Sequence, residues 1–134
     1  MSSRKTLRIV QFTDTHLYSD GEGRLLGQNT RQTLELVLEL AHENHRPFDL
    51  ILLTGDLVHI GLESEMIEAA NWLRHLGPPE KVMLVPGNHD NYASDSLSFM
   101  SRYLKAYLPS EHPSDGDYTS GFPLMRQRGG VKLV

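Results

Sequence analysis

The sequence contains no cysteine. That excludes disulfides and thiolate metal sites, so any bound metal must be held by Asp, Asn, Glu or His. It has no excess of positive charge: formal net charge is −4 over 134 residues. Non-specific affinity for nucleic acid or an anionic membrane surface therefore gets no support. Long apolar runs are missing too. Stretches such as Leu50–Leu53 are far shorter than the roughly 20 residues that span a bilayer. The opening segment, Met1 to Arg8, is basic, but no signal-peptide apolar stretch comes after it. A soluble, unanchored, cytoplasmic chain is expected. Hydrophobic content of 39% and charged content of 22% are ordinary for one globular domain of this length.

Three short aliphatic runs are present: Leu7–Phe12, Leu50–Leu53 and Val82–Val85. Their apolar residues are near-continuous rather than alternating, which predicts buried strands. Helical spacing lies between them. From about Thr30 to Glu43, Leu34, Val37, Leu38 and Ala41 share one face, with Asn29 placed to cap the start. From Glu63 to Leu76, Met66, Ala69, Ala70, Leu73 and Leu76 line up, and Gly77-Pro78-Pro79 stops the helix. A third helix is expected over about 94–108, with Leu97, Met100, Leu104 and Leu108 in register. This alternation predicts an α/β fold with a mostly parallel βαβαβ sheet. Residues 109–123, dense in Pro, Ser, Asp and Gly, predict a long loop. Gly129 and Gly130 lead into Val131–Val134, which resembles the start of a further strand. Gly21–Gly27 has the wrong spacing for a dinucleotide fingerprint and is expected to be a loop.

The residues just past each strand carry the chemistry. Thr13-Asp14-Thr15-His16 comes after the first, Thr54-Gly55-Asp56 after the second, and Pro86-Gly87-Asn88-His89-Asp90 after the third. In parallel α/β sheets ligands gather at the carboxyl ends of the strands, so the three clusters should converge. Asp14 and His16 are two apart and can face one metal from an extended backbone. Asp56 follows a glycine and offers two oxygens, enough to bridge two cations. Asn88 offers a neutral amide oxygen. This mixed oxygen and nitrogen set suits Mn, Fe, Zn or a similar divalent ion. Two such ions about 3.5–4 Å apart can activate water and clamp a phosphate. His89 is placed to bond a phosphate oxygen or protonate a leaving group, with Asp90 to orient it. The bland alternatives are a strand-end turn for Asp14 and His16 and a helix cap for Asn88–Asp90. They weaken because three such clusters occur together.

Asp14-x-His16, Gly55-Asp56 and Gly87-Asn88-His89-Asp90, in this order and each after a strand, resemble the calcineurin-like metallophosphoesterase superfamily. Thr13–Leu17, with Leu25-Leu-Gly-x-Asn-Thr30 after it, resembles the bacterial class III cyclic-nucleotide phosphodiesterase branch. The resemblance spans roughly residues 7–92. It implies the N-terminal part of a four-layer αββα sandwich. It implies Asp14 and His16 on a first metal, Asp56 bridging, Asn88 on a second metal, and His89 as the catalytic imidazole. The family's later Gly-His-x-His pair has no counterpart in this sequence. The chain is therefore expected to be an N-terminal portion of such an enzyme, holding one metal or none, impaired or inactive alone and prone to self-association. A small phosphodiester is the expected substrate, with no nucleic-acid or membrane partner. A non-catalytic interaction module on the same scaffold is the alternative. His59, three residues after Asp56, is expected to line the pocket wall or face solvent. His42 and His75 are expected on the surface.

Overall fold

The computed structural model describes residues 6–20, 22–44, 47–108, 126–128 and 130–133. The expected loop over 109–123 lies outside the described residues. In chain order the elements are β1 (Ile9–Phe12), β2 (Arg24–Leu25), β3 (Gln28–Asn29), α1 (Thr30–Asn44), β4 (Leu50–Thr54), α2 (Glu63–Leu76), β5 (Val82–Val85), α3 (Ser96–Tyr103), β6 (Arg126–Arg128) and β7 (Val131–Leu133). Single 3-10 turns occupy His89–Asn91 and Lys105–Tyr107.

The central sheet has the order β1-β4-β5, with both pairs parallel. Ile9 pairs with Leu50 and Phe12 with Leu53, while Ile51 pairs with Val82 and Thr54 with Val85. This is the expected parallel α/β arrangement. α1 connects β1 to β4, and α2 connects β4 to β5. The guanidinium of Arg31 on α1 pairs with the Glu68 carboxylate on α2, so the two helices are neighbours.

Side chains alternate across a strand with period two, so the register divides the sheet into two faces. One face carries Val10, Phe12, Ile51, Leu53, Val82 and Leu84. All but Val10 are buried, and all belong to or pack on a core with Leu34, Met66, Ala69, Trp72 and Leu73. The opposite face is mixed. Leu50 and Met83 are buried, Leu52 is half-buried, and Ile9 and Val85 are exposed. The expectation of three fully buried strands is thus corrected for β1. It lies at the sheet edge, and its second face is uncovered among the described residues.

α2 begins and ends where expected. Its Glu65 carboxylate reaches back to the Leu62 N–H, and the Gly77 N–H bonds to the Leu73 carbonyl. Those contacts close the two helix ends that the sequence marks. Asn29 does cap α1: its Oδ1 accepts the Gln32 N–H at 2.9 Å. α1 buries less than its pattern implies, since Leu34 is buried but Val37 is 45% exposed. α3 is shorter than expected. Leu104 leaves helical geometry at φ −108° and ψ 4°, and the 3-10 turn then keeps Leu104, Tyr107 and Leu108 buried.

Two small hairpins lie outside the central sheet. β6 and β7 pair antiparallel, in line with the expected strand at Val131. β2 and β3 pair antiparallel where a loop was expected. Leu26 and Gly27 make that turn, with φ of 51° and 83°. Two-residue hairpins favour positive φ at both positions, which glycine or asparagine normally signals. Leucine at the first position hides it. No helix among the described residues is long and apolar enough to cross a membrane.

Candidate metal centre at the strand ends

The β1–β4 pairing continues past both strands. The Asp14 N–H donates to the Gly55 carbonyl, His16 to Asp56, and Leu17 to Leu57. The Gly55 N–H in turn donates to Val85 at the end of β5. The three polar clusters are thereby laced together at one end of the sheet.

Their backbone is unusual. Asp14, His16 and Asp56 all have positive φ, at 55°, 43° and 50°. Left-handed backbone costs on the order of 1–3 kcal/mol for a non-glycine residue and gathers at functional sites. Asp and His tolerate it better than most. Among the described residues only Leu26 shares it outside glycine. The hydrogen-bonded ladder holds these three residues in place.

The result is a cluster of ligand atoms. One donor atom from each of Asp14, His16 and Asp56 lies within 4.8 Å of the others. One nitrogen from each of His16, His59 and His89 satisfies the same limit. His16 is common to both groups. Its Nδ1 is buried and has no hydrogen-bond partner among the described residues. An orphaned buried nitrogen costs free energy unless it finds a partner, and a cation supplies one. Burial, followed by the neighbouring His89, lowers the His16 pKa, with Asp56 opposing. His16 is therefore neutral at pH 7, the form that ligates metal. The donor set fits a divalent ion.

Gly87 explains how Asp56 gets so close to the third loop. A Cβ on Gly87 would lie 2.1 Å from Asp56 Oδ1 and 2.4 Å from its backbone nitrogen. Only glycine leaves that space. Asp56 Oδ1 also accepts the His89 N–H at 3.0 Å.

His89 is oriented by backbone. Its Nδ1 lies 2.6 Å from the carbonyl oxygen of His59. A carbonyl only accepts, so Nδ1 carries the proton and Nε2 is left for chemistry. The Asn88 amide nitrogen donates to the Tyr92 hydroxyl at 2.6 Å, which leaves Oδ1 as its available atom. Tyr92 also packs on the His89 ring, with centroids 4.5 Å apart.

Asp90 departs from the expectation that it orients His89. Its carboxylate is fully buried and accepts the backbone N–H groups of Leu57, Val58 and Gly87 at 3.2, 2.8 and 2.8 Å. Burial pushes its carboxyl upward, opposed by those three donors. Asp90 ties the second loop to the third and so sets where Asp56 and His89 stand. Glu65 does the same for residues 60–62, accepting their three N–H groups. From sequence, Glu65 is only an acidic residue at a helix start. His59, expected at the pocket wall or in solvent, stands beside His16 and His89, with its ring stacked on Tyr18 at 4.4 Å. His42 and His75 are exposed, as expected.

The family model for calcineurin-like phosphoesterases matches residues 7–133. The chain belongs to that family. Among curated relatives, it is 34% identical over 89 residues to a 3′,5′-cyclic adenosine monophosphate phosphodiesterase, CpdA, of Haemophilus influenzae, covering 66% of this chain and 32% of the relative. It is 34% identical over 90 residues to the CpdA of Escherichia coli K12, covering 67% and 32%. It is 31% identical over 90 residues to a 3′,5′-cyclic-nucleotide phosphodiesterase of Nostoc, covering 67% and 33%. The chain thus spans about a third of the length of these relatives. The α/β architecture and the parallel sheet agree with the N-terminal part of the metallophosphoesterase fold.

Proposed function

We propose that these residues are the N-terminal half of a dinuclear metal site for phosphodiester hydrolysis. The reading rests on one observation above the rest: Asp14, His16 and Asp56 bring ligand atoms within 4.8 Å of one another from two different strand ends. Asp14 and His16 would hold a first divalent ion, Asp56 would reach both ions, and Asn88 would serve the second through Oδ1. Bound ions would polarise the phosphoryl group and supply an activated water. Mn, Fe and Zn all suit this donor set.

The chain's own residues do the rest. The His59 carbonyl fixes the His89 ring, so Nε2 can donate to a phosphoryl oxygen or protonate the departing oxygen. Asp90 does not touch the reacting atoms; it is a positioning residue. A small cyclic nucleotide is the substrate class favoured here, because the relatives named above are cyclic-nucleotide phosphodiesterases. The net charge of −4 argues against a nucleic-acid substrate, whose backbone is bound through Lys and Arg. Turnover by these 134 residues alone is expected to be weak, because the Gly-His-x-His pair of the family is not in the sequence. The exposed Ile9, Leu36 and Val37 support self-association as a further part of this reading. A cytoplasmic location belongs to it as well, and fractionation of cells expressing a tagged chain tests that.

The metal reading is tested by loading the chain with Mn²⁺, desalting and measuring retained metal. The wild type should keep Mn²⁺, and Asp56→Ala and Asp14→Ala should lose it. Equal retention in all three would overturn the reading.

A further inference from the structure

One member of the second group of ligand atoms, the His59 ring, has no place in that scheme. His59 comes from the loop after β4, carries no role in the family motifs quoted above, and still brings a ring nitrogen within 4.8 Å of His16 and His89. We propose that His16, His59 and His89 form a three-imidazole site for a cation of the zinc class, distinct in chemistry from the carboxylate set and sharing His16 with it. The proposal deepens the metal reading of this site, but it does not depend on phosphodiester chemistry.

Three features carry it. First, the Nδ1 atoms of both His16 and His59 are buried and have no hydrogen-bond partner among the described residues. Two buried imidazole nitrogens without partners are costly unless they find a ligand. Second, His89 already has the support that metal-bound histidines use. Its Nδ1–H is held by a backbone carbonyl, that of His59 itself. Such a contact fixes the tautomer and aims the other nitrogen at the metal. Third, the three rings are mutual neighbours, with one nitrogen of each within 4.8 Å of the others. The His16–His89 centroids are 4.6 Å apart, and His59 is 5.8 Å from each. In tetrahedral zinc sites nitrogen ligands sit at about 2.0–2.1 Å from the ion, and so roughly 3.3 Å from each other. Small rotations of the rings would close the remaining gap. Tyr18, stacked on His59, limits how far that ring can swing outward.

Zinc suits both groups, but they differ in their other preferences. Imidazole-only sites suit Zn, Cu and Ni, whereas carboxylate-rich sites suit Mn and Mg. Three histidines also leave a fourth position open for water or an anion. An ion held there takes the Nε2 of His89, the atom assigned above to the phosphate. Occupation of the three-imidazole site would therefore withdraw His89 from proton transfer.

The experiment tracks the imidazole nitrogens of the 134-residue chain by NMR during addition of Zn²⁺, and measures zinc affinity in His59→Gln. The expected result is that ring resonances of His16, His59 and His89 all move. His59→Gln should bind zinc at least about tenfold more weakly while keeping its Mn²⁺ retention. His59 resonances that stay fixed while the other two move would overturn the proposal, as would unchanged zinc affinity in His59→Gln. Failure of the wild type to bind zinc would overturn it as well. Mn²⁺ retention that still depends on Asp14 and Asp56 would leave the function proposed above standing. The NMR arm uses the unaltered chain, so a misfolded variant does not decide the matter.

Discussion

The loops after β4 and β5 and the flank made by β1 and α1 are built in opposite ways. The loops carry acids and histidines, yet they are tightly held. Asp90 is fully buried and Glu65 is 3% exposed, and each carboxylate gathers three backbone N–H groups. The flank carries aliphatic residues, yet it is loosely covered: Ile9, Leu36 and Val37 are 41%, 60% and 45% exposed. Apolar content alone does not decide which part of this chain is closely covered. Polar loops can be buried when an internal acceptor takes up the amides they present. Along α1, Leu34 reaches the core while Leu36 and Val37 stay exposed among the described residues.

Removing the brace should have the largest effect. Asp90→Ala orphans the amides of Leu57, Val58 and Gly87, and each buried unsatisfied donor costs about 1–3 kcal/mol. A loss of about 3–5 kcal/mol is expected, a large share of the roughly 5–15 kcal/mol typical of a domain. Urea denaturation measures it. A change below about 0.5 kcal/mol, as for an ordinary surface residue, would end the contrast between the two regions.

Gly87→Ala attacks the same loops from the other side. The new methyl would overlap the Asp56 carboxylate and backbone, and the backbone cannot swing away as a side-chain end can. Strain of about 1–3 kcal/mol and loss of retained Mn²⁺ are expected together. Retained metal at wild-type levels would mean that Asp56 is not held where the structure puts it.

The flank should answer differently. Leu36→Glu changes a side chain that is 60% exposed, so stability should move by no more than about 0.5 kcal/mol. Light scattering at high concentration should show less self-association than the wild type, with Mn²⁺ retention unchanged. Identical scattering by both chains would remove this face from consideration as an association surface.

Sequence makes the strands, α2 and the convergence of three motifs legible, because strand-end chemistry and helix stops are local signals. The bounds of α2 and the Asn29 cap are readable for that reason. Asp90 is not. Its residue type fits a partner for His89 equally well, and only the fold reveals which donors surround its oxygens. His59 and Glu65 escape on the same ground: their roles depend on neighbours 30 or more residues away or on a loop folding back. The β2–β3 hairpin escapes because Leu26 occupies a position where leucine gives no turn signal. Burial of β1 is overestimated because a run of apolar residues does not say whether its strand lies at a sheet edge.

The smallest effect is a dependence on pH. Burial and the adjacent His89 lower the His16 pKa in the folded chain below its ordinary value of 6.5. Between the two values the unfolded chain binds the extra proton and the folded chain does not. Stability therefore rises with pH across that window, and falls as pH drops below about 6.5 through the lowered folded value. In EDTA, the urea midpoint of the wild type should decrease between pH 7.5 and pH 5.5. His16→Gln cannot take up that proton, so its midpoint should fall less over the same range. Parallel falls in both chains would show that His16 is no more desolvated than a surface histidine. The tight, orphaned imidazole that separates the strand-end loops from the open flank would then lose its main support.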